Sequence, residues 1–173
     1  LGSDVSPCKI LLITEEGKGH WVRRRESLGI GSHLSIVSRP FKSRPTQNDW
    51  ELLIEMIAQD IKQIGFDLVV IDTWQAANPS QDENDATDTM AALAPLSQLS
   101  EAGAAVLLVH HPKKGDAGQG QASRGSGALT GWVDTIVELR RFSTNRTRSS
   151  RSWKSSSQAT LAKIMPSENT SVS

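Results

Sequence analysis

An aspartate at the end of an apolar run has the clearest chemical potential in this sequence. Four branched aliphatic residues, 68–71, lead directly into Asp72 and Thr73. Such a run is typical of a strand that is buried on both faces, as in a parallel sheet under helices. Ligands bind at the carboxyl ends of strands in open α/β sheets, and an Asp there can hold Mg²⁺ beside a nucleotide phosphate. The alternative is that Asp72 simply caps a turn.

Two other apolar runs also end in polar residues. Residues 8–14 precede Glu15 and Glu16, and residues 104–109 precede His110. A carboxylate that orients water, an acid for Mg²⁺ and a side chain that senses phosphate are parts that phosphoryl transfer requires. Each of these residues, taken alone, could equally be a hydrogen-bonded structural side chain.

Hydrophobic spacing predicts the elements that position these residues. Strands are predicted at 8–14, 34–37, 68–71, 104–109 and 132–139. Helices are predicted at 20–27, from Asn48 to Gly65, and from the acidic segment 82–85 to Gly103 with a kink at Pro95. Strands that alternate with helices predict an α/β fold, with a mostly parallel sheet and right-handed crossovers.

Two helix starts can be predicted from capping patterns. Asn48 is the expected N-cap of the second helix, because Glu51 follows three residues later. The acidic segment 82–85 could hold a metal, but acids and amides in a row more often cap a helix whose dipole favours negative charge. We therefore predict an N-cap cluster there.

Composition limits the class of protein. The 173 residues carry no net charge and suit one globular domain, and the single cysteine excludes an internal disulfide and fits a reducing cytoplasm. We expect a cytoplasmic protein without membrane partners, because no apolar stretch approaches the roughly 18 residues of a membrane span. Residues 1–7 look like a vector remnant or fragment edge. Residues 142–173 contain 5 basic residues (Lys or Arg) and 1 acidic residue, with few apolar side chains. We therefore predict a weakly ordered Ser/Arg-rich tail there.

Five ordered segments resemble a known family. They are residues 13–19, 68–72, 82–86, 109–115 and 124–129. Together they look like the RecA-like hexameric ATPases, and most of all like the RepA-type replicative helicases of plasmids and phages. The resemblance covers residues 8–141. It implies a RecA-like fold, ATP and Mg²⁺ as cofactors, a homo-oligomeric ring and movement on single-stranded DNA.

The resemblance also assigns roles to single residues around the nucleotide. Glu16 would polarise the attacking water, with Glu15 as the substitute candidate. Asp72, with Thr73 beside it, would lie on the Mg²⁺ side of the nucleotide. His110 would sense the γ-phosphate from the end of its strand.

Further roles concern neighbouring subunits and nucleic acid. Arg124 resembles the arginine finger that reaches the nucleotide of the next subunit. The segment 113–125, with Lys113 and Lys114, matches the position of pore loops that contact single-stranded DNA.

One departure from the family concerns phosphate binding. No G-x-x-x-x-G-K-[ST] motif occurs in the 173 residues, and segment 17–20 has neither its spacing nor its hydroxyl residue. In the family this P-loop lies immediately upstream of the strand that begins near Cys8, so the chain is expected to start after it. We expect nucleotide affinity to be lower by several orders of magnitude, since the loop supplies the N–H cradle and the lysine.

The same departure predicts how the sheet and the chain assemble. The family's P-loop strand lies inside the sheet, so we expect its slot to be closed, filled by a partner or left as a defect. Unsatisfied backbone groups there would cost roughly 1–3 kcal/mol each. Pairing with a second copy would satisfy them most simply, and we therefore expect a dimer or larger oligomer held by strand or edge contacts, or else a poorly soluble monomer.

Two classes of function follow from these observations. The first is a partial ATPase domain of the DNA replication helicase type, whose intact form hydrolyses ATP to move on single-stranded DNA. The second is a non-catalytic module on the same scaffold that binds nucleic acid or a partner. A third reading is an α/β domain in which the polar residues only cap turns.

Overall fold

The core of the protein is a four-stranded, entirely parallel sheet. The computed structural model describes residues 6–110 and 127–137. Its strands run in the order β2-β1-β3-β4, with β1 at Ile10–Thr14, β2 at Leu34–Ser38, β3 at Leu68–Asp72 and β4 at Ala105–Val109. The α/β fold class and these four predicted strands are confirmed, consistent with a RecA-like fold.

Helices connect successive strands, as parallel pairing requires. The connecting helices are α1 (Lys18–Leu28), α2 (Gln47–Ile64), α3 (Trp74–Ala77), α4 (Ala86–Leu93) and α5 (Ser97–Glu101), and α6 (Ala128–Trp132) follows β4. A 3₁₀ turn at Ala94–Leu96 joins α4 to α5. Within the described ranges, no helix has the length and apolar character to cross a membrane.

One face of the sheet forms the hydrophobic core. Side chains from alternate strand positions, among them Ile13, Ile71 and Leu108, pack there against α2, α4 and α5. The opposite face is less covered, because Leu68 and Val70 are only half-buried there. The prediction that this strand is buried on both faces is therefore correct for one face only.

The capping prediction for α2 is wrong by two residues. Thr46, not Asn48, is the N-cap: its hydroxyl accepts from the Asp49 N–H at 3.1 Å, and the Asp49 carboxylate accepts from the Thr46 N–H at 3.0 Å. The Thr46 hydroxyl also donates to the Asp49 carboxylate at 2.7 Å, and this bond, followed by the one from the Thr46 N–H, lowers the pKa of Asp49. Both positions fit the spacing of a capping box, and the earlier start is the one that brings the first turn of α2 against α4.

That first turn compensates for the proline between α4 and α5. Pro95 has no N–H, so the helical hydrogen bond to the Ala91 carbonyl cannot form. Gln47 Nε2 donates to the Ala91 carbonyl at 3.1 Å instead, and Trp50 Nε1 donates to the Ala92 carbonyl at 2.8 Å. A 3₁₀ turn interrupts the α-helix at the position of the predicted kink, and two side chains of α2 bond to the carbonyls before it.

The acidic segment behaves as a helix cap. Asp85 is the N-cap of α4, and its carboxylate accepts from the Asp88 N–H at 2.9 Å. Asp88 in turn accepts from the backbone N–H groups of Gln81 and Asp82. The predicted N-cap cluster is confirmed.

Two other predictions are corrected. The predicted strand at 132–139 is wrong for its described residues, 132–137: Trp132 ends α6, and no strand follows there. Burial of Leu129, three residues before the half-buried Trp132, gives this segment a helical contact pattern. The slot is closed in the described sheet, and not left for a second copy to pair with, because β1 and β3 each pair with a strand on both sides.

Candidate functional site

A cavity opens at the carboxyl ends of β1, β2 and β3. Its volume is about 310 Å³. Strand residues Ile13 and Ile71 contribute apolar lining, and α3 contributes Ala76 and Ala77. The loop that follows β2, residues 39–43, lines the cavity as well. The position agrees with the rule that ligands of α/β sheets bind at the carboxyl ends of the strands.

Two carboxylate residues lie next to each other at this cavity. Thr14 is the register partner of Asp72, and one residue later the Glu15 N–H donates to the Asp72 carbonyl at 3.2 Å. Both Glu15 and Asp72 line the cavity, as does the buried Thr73, which a cis peptide bond joins to Asp72. The structure thus brings together three of the residues predicted from sequence.

Glu16 has a different environment from Glu15. Its carboxylate forms a two-point ion pair with Arg24, in which Arg24 Nη2 donates to Oε1 at 2.8 Å and Nη1 donates to Oε2. The Arg24 guanidinium also lies 4.9 Å from the centre of the Trp21 ring. Glu16 does not line the cavity. The role predicted for Glu16 stays a prediction. Glu15, the alternative candidate for that role, lies beside Asp72.

Two cations complete the lining, and the sequence analysis did not identify them. Arg39 has φ 51°, an uncommon conformation for a residue other than glycine. Its N–H donates to the Thr14 carbonyl at 2.7 Å and its Nε donates to the Glu15 carbonyl at 3.0 Å. Lys42 also lines the cavity. Their position after a predicted strand was the signal that could have identified them, as it identified Asp72.

The two loops that border the cavity are joined at their far ends. Arg44, which follows the cavity loop of β2, donates to the Ser80 carbonyl beyond α3. Asn78 is buried, and its side-chain oxygen accepts from the Ser80 N–H at 3.0 Å. These contacts fix the loop that carries Lys42 relative to the strand that carries Asp72.

The oxygen atoms at the cavity fit Mg²⁺. Carboxylates and hydroxyls are its preferred protein ligands, and it usually takes one or two carboxylates together with water and substrate phosphate. Among residues 6–110 and 127–137, no group of three or more His, Cys, Asp or Glu could hold a metal alone. Asp72, Glu15 and Thr73 therefore suit a Mg²⁺ that arrives with a phosphate ligand.

The remaining predicted residues lie apart from the cavity or outside the described chain. His110 is buried immediately after Val109, the register partner of Asp72, and it does not line the cavity. Lys113, Lys114 and Arg124 lie outside the described residues. Their predicted contacts with DNA and with a neighbouring subunit stay predictions.

Comparison with known proteins gives one family match. A family model described as an AAA domain matches residues 2–117, more than half of the chain. The matched range includes Glu15, Glu16, Asp72 and His110, and it ends before Arg124. No curated protein matches the chain significantly.

Proposed function

Because the chain belongs to the AAA domain family, whose members are ATPase-type domains, we propose that it is part of a RecA-like ATPase of the replicative helicase type. The observation that carries the proposal is the pairing of Glu15 with Asp72 at the cavity. A carboxylate for the Mg²⁺ side and a second carboxylate for water are what phosphoryl transfer to water requires of such a site.

Each residue at the cavity has a definite task in this proposal. Asp72 and Thr73 would hold Mg²⁺, which when bound would neutralise charge on the phosphates. Glu15 accepts a hydrogen bond from the attacking water and orients it. Arg39 and Lys42, which line the same cavity, would offset the negative charge of the phosphates.

Glu16 remains the other candidate for the residue that orients water. In the structure both of its carboxylate oxygens accept from Arg24, so it would have to exchange that partner to reach a water. Glu15 needs no such exchange. Comparing Glu15→Gln with Glu16→Gln in an active form of the protein would identify the residue, because only loss of the water-orienting carboxylate removes hydrolysis while nucleotide binding remains.

Coupling to DNA is the finer part of the proposal. In it, the intact protein hydrolyses ATP to move along single-stranded DNA, with Lys113 and Lys114 contacting the strand. Arg124 acts on the nucleotide of the next subunit in a ring, and His110 senses the γ-phosphate. The sequence resemblance supports these assignments.

A non-catalytic module is the second candidate function. It is favoured by the absence of a G-x-x-x-x-G-K-[ST] motif from the 173 residues. Such a module would use the same cavity or its surface to bind nucleic acid or a partner, without turnover.

Nucleotide titration of the full chain tests the proposal. We expect ATP–Mg²⁺ to bind no tighter than about 1 mM and without measurable turnover, since the 173 residues contain no G-x-x-x-x-G-K-[ST] motif to cradle the phosphates. Binding of this strength can be followed by NMR. The changes in amide chemical shift should be largest at Glu15, Asp72 and Thr73. Asp72→Ala should remove them, whereas Asp60→Ala, which alters an exposed acid on α2, should not.

Two results would contradict these expectations for nucleotide binding. Shifts that persist in Asp72→Ala would place nucleotide elsewhere and favour the non-catalytic module. A micromolar dissociation constant in calorimetry that is lost in Asp72→Ala would keep the site but show that another loop holds the phosphates.

A further inference from the structure

Helix α2 presents an apolar stripe to solvent. Leu52 and Met56 are 52% and 63% exposed. Gln59 and Gln63 are exposed as well, and the spacings of four, three and four residues place all four side chains on one face of the helix. The buried residues of α2 lie on its other side, in the hydrophobic core. The outer stripe of α2, defined by these four residues, therefore offers an uncovered apolar contact.

Negative charge borders the outer stripe on both sides. Glu55 lies beside it on one flank of the helix and Asp60 on the other. Both are exposed, and neither has a hydrogen-bond or ion-pair partner within residues 6–110 and 127–137. Four acids and one cation give α2 a net charge of −3. A ligand that fits this surface is therefore apolar on one side and basic.

The same chain contains a segment with the complementary character. Residues 151–165 carry three cations and no acid. Leu161 and Ile164 are three residues apart, and Trp153 precedes them by eight and eleven residues. All three would fall on one face of a helix that ends before Pro166. Residues 113–126 are also basic, but they contain no apolar side chain larger than alanine.

The segment follows α6 closely enough to reach α2. α6 packs against α4, and α4 contacts α2 through the bonds from Gln47 and Trp50. Neighbouring helix axes lie about 8–10 Å apart, so two such spacings place α6 within roughly 20 Å of α2. Residues 138–150 are rich in Ser, Thr and Arg, and a flexible chain of this length spans roughly 18–22 Å.

We propose that residues 151–165 dock on the outer stripe of α2 within the same molecule. Their apolar face would cover Leu52 and Met56, and their cations would approach Glu55 and Asp60. The contact is small, but a short flexible linker gives the segment an effective concentration in the millimolar range. An intrinsic dissociation constant of about 1 mM is therefore sufficient to keep the segment docked about half of the time. The proposal requires no nucleotide and is independent of the cavity.

A spin label placed just after the segment tests the docking in the full chain. Cys8→Ser removes the single cysteine, and Ser167→Cys then carries a nitroxide. The label broadens the NMR signals of nearby amides, so the strongest broadening is expected at Leu52, Met56 and Gln59. The amides of α1 should be unaffected, because right-handed crossovers in opposite directions place α1 and α2 on opposite faces of the sheet. Dilution should leave the broadening unchanged, since the contact is intramolecular.

Substitutions on α2 separate the apolar part of the contact from the charged part. Met56→Ser should weaken docking about tenfold, because it removes apolar surface that the segment would cover. Glu55→Lys should weaken docking about threefold, because it replaces an attraction to the cations of the segment by a repulsion. Met90→Ser on α4 and Glu101→Lys on α5 make the same changes at other exposed positions and should leave docking unchanged. Circular dichroism confirms that every variant is folded.

Three results would overturn the proposal. Broadening that is absent from α2, or equally strong at α1, would show that the segment does not dock on the outer stripe. Broadening at Leu52 that neither Met56→Ser nor Glu55→Lys reduces would show that these side chains do not make the contact. Broadening that falls on dilution would assign the contact to the segment of another copy. None of these results bears on nucleotide binding, so the ATPase proposal would stand or fall separately.

Discussion

Trp50 is the residue whose replacement best tests how the fold holds the site. Its side chain is fully buried, its Nε1 donates to the Ala92 carbonyl, and its ring meets Trp74 edge-to-face at 5.7 Å between centroids. Trp74 follows Asp72 by two residues, so this contact connects α2 both to the cavity strand and to α4. Trp50→Phe keeps an aromatic ring and removes the donor.

The magnitude can be estimated from these contacts. A buried carbonyl that loses its donor costs about 1–3 kcal/mol, and the smaller ring leaves a void worth roughly 1 kcal/mol. The sum is about 2–4 kcal/mol. For a chain of this length each 1 kcal/mol lowers Tm by roughly 2–4 °C, so Trp50→Phe should lower Tm by roughly 4–16 °C.

Trp21→Phe is the matched control. Nε1 of Trp21 is buried without a hydrogen-bond partner among the described residues, so removing it relieves an unsatisfied donor. Part of the contact with Arg24 is lost, and the net change should lie within about 1 kcal/mol of zero. Urea unfolding followed by circular dichroism compares the two variants. Equal losses in both would show that the bond to Ala92 does not stabilise the fold as argued.

Three further predictions concern the cap of α2, the pH dependence of that cap and the binding of nucleic acid. Thr46→Ala should destabilise the protein by about 1 kcal/mol, and Asn48→Ala should have a much smaller effect, because only Thr46 caps the helix. The pKa of Asp49 is below its usual 3.8, so the ionised carboxylate stabilises the folded protein at neutral pH. This stabilisation is lost as the pH falls through the pKa of Asp49 in the folded state. If acid lowered the urea midpoint of Asp49→Asn as much as that of the unchanged chain, the prediction would be contradicted. Single-stranded DNA should bind weakly and with strong salt dependence, and filter binding of a chain that ends at Arg141 should retain it if segment 113–125 carries the contact. Complete loss on truncation would assign binding to the tail and remove support for the pore-loop prediction.

Local sequence patterns were sufficient for much of the fold. The apolar runs predicted all four described strands, and the glycine after α2 and the acids before α4 predicted where helices end and begin. These features are local, because hydrophobic period and capping depend on residues a few positions apart. The same patterns failed at the N-cap of α2, because Thr46 and Asn48 fit the spacing of a capping box equally well. They failed again at 132–137, where alternation resembled a strand.

The candidate site, like the fold, could be predicted only in part from the sequence. The sequence alone placed Asp72 at the end of a buried strand and two glutamates at the end of another, and it indicated an ATPase-type family. Only the tertiary structure decided that Glu15 shares a cavity with Asp72 while Glu16 pairs with Arg24, and that Arg39 lines the same cavity. These residues are far apart in sequence, and the parallel register of β1, β2 and β3 brings them to one edge. Successive side chains after a strand point in different directions, so a difference of one residue decides which glutamate faces the cavity.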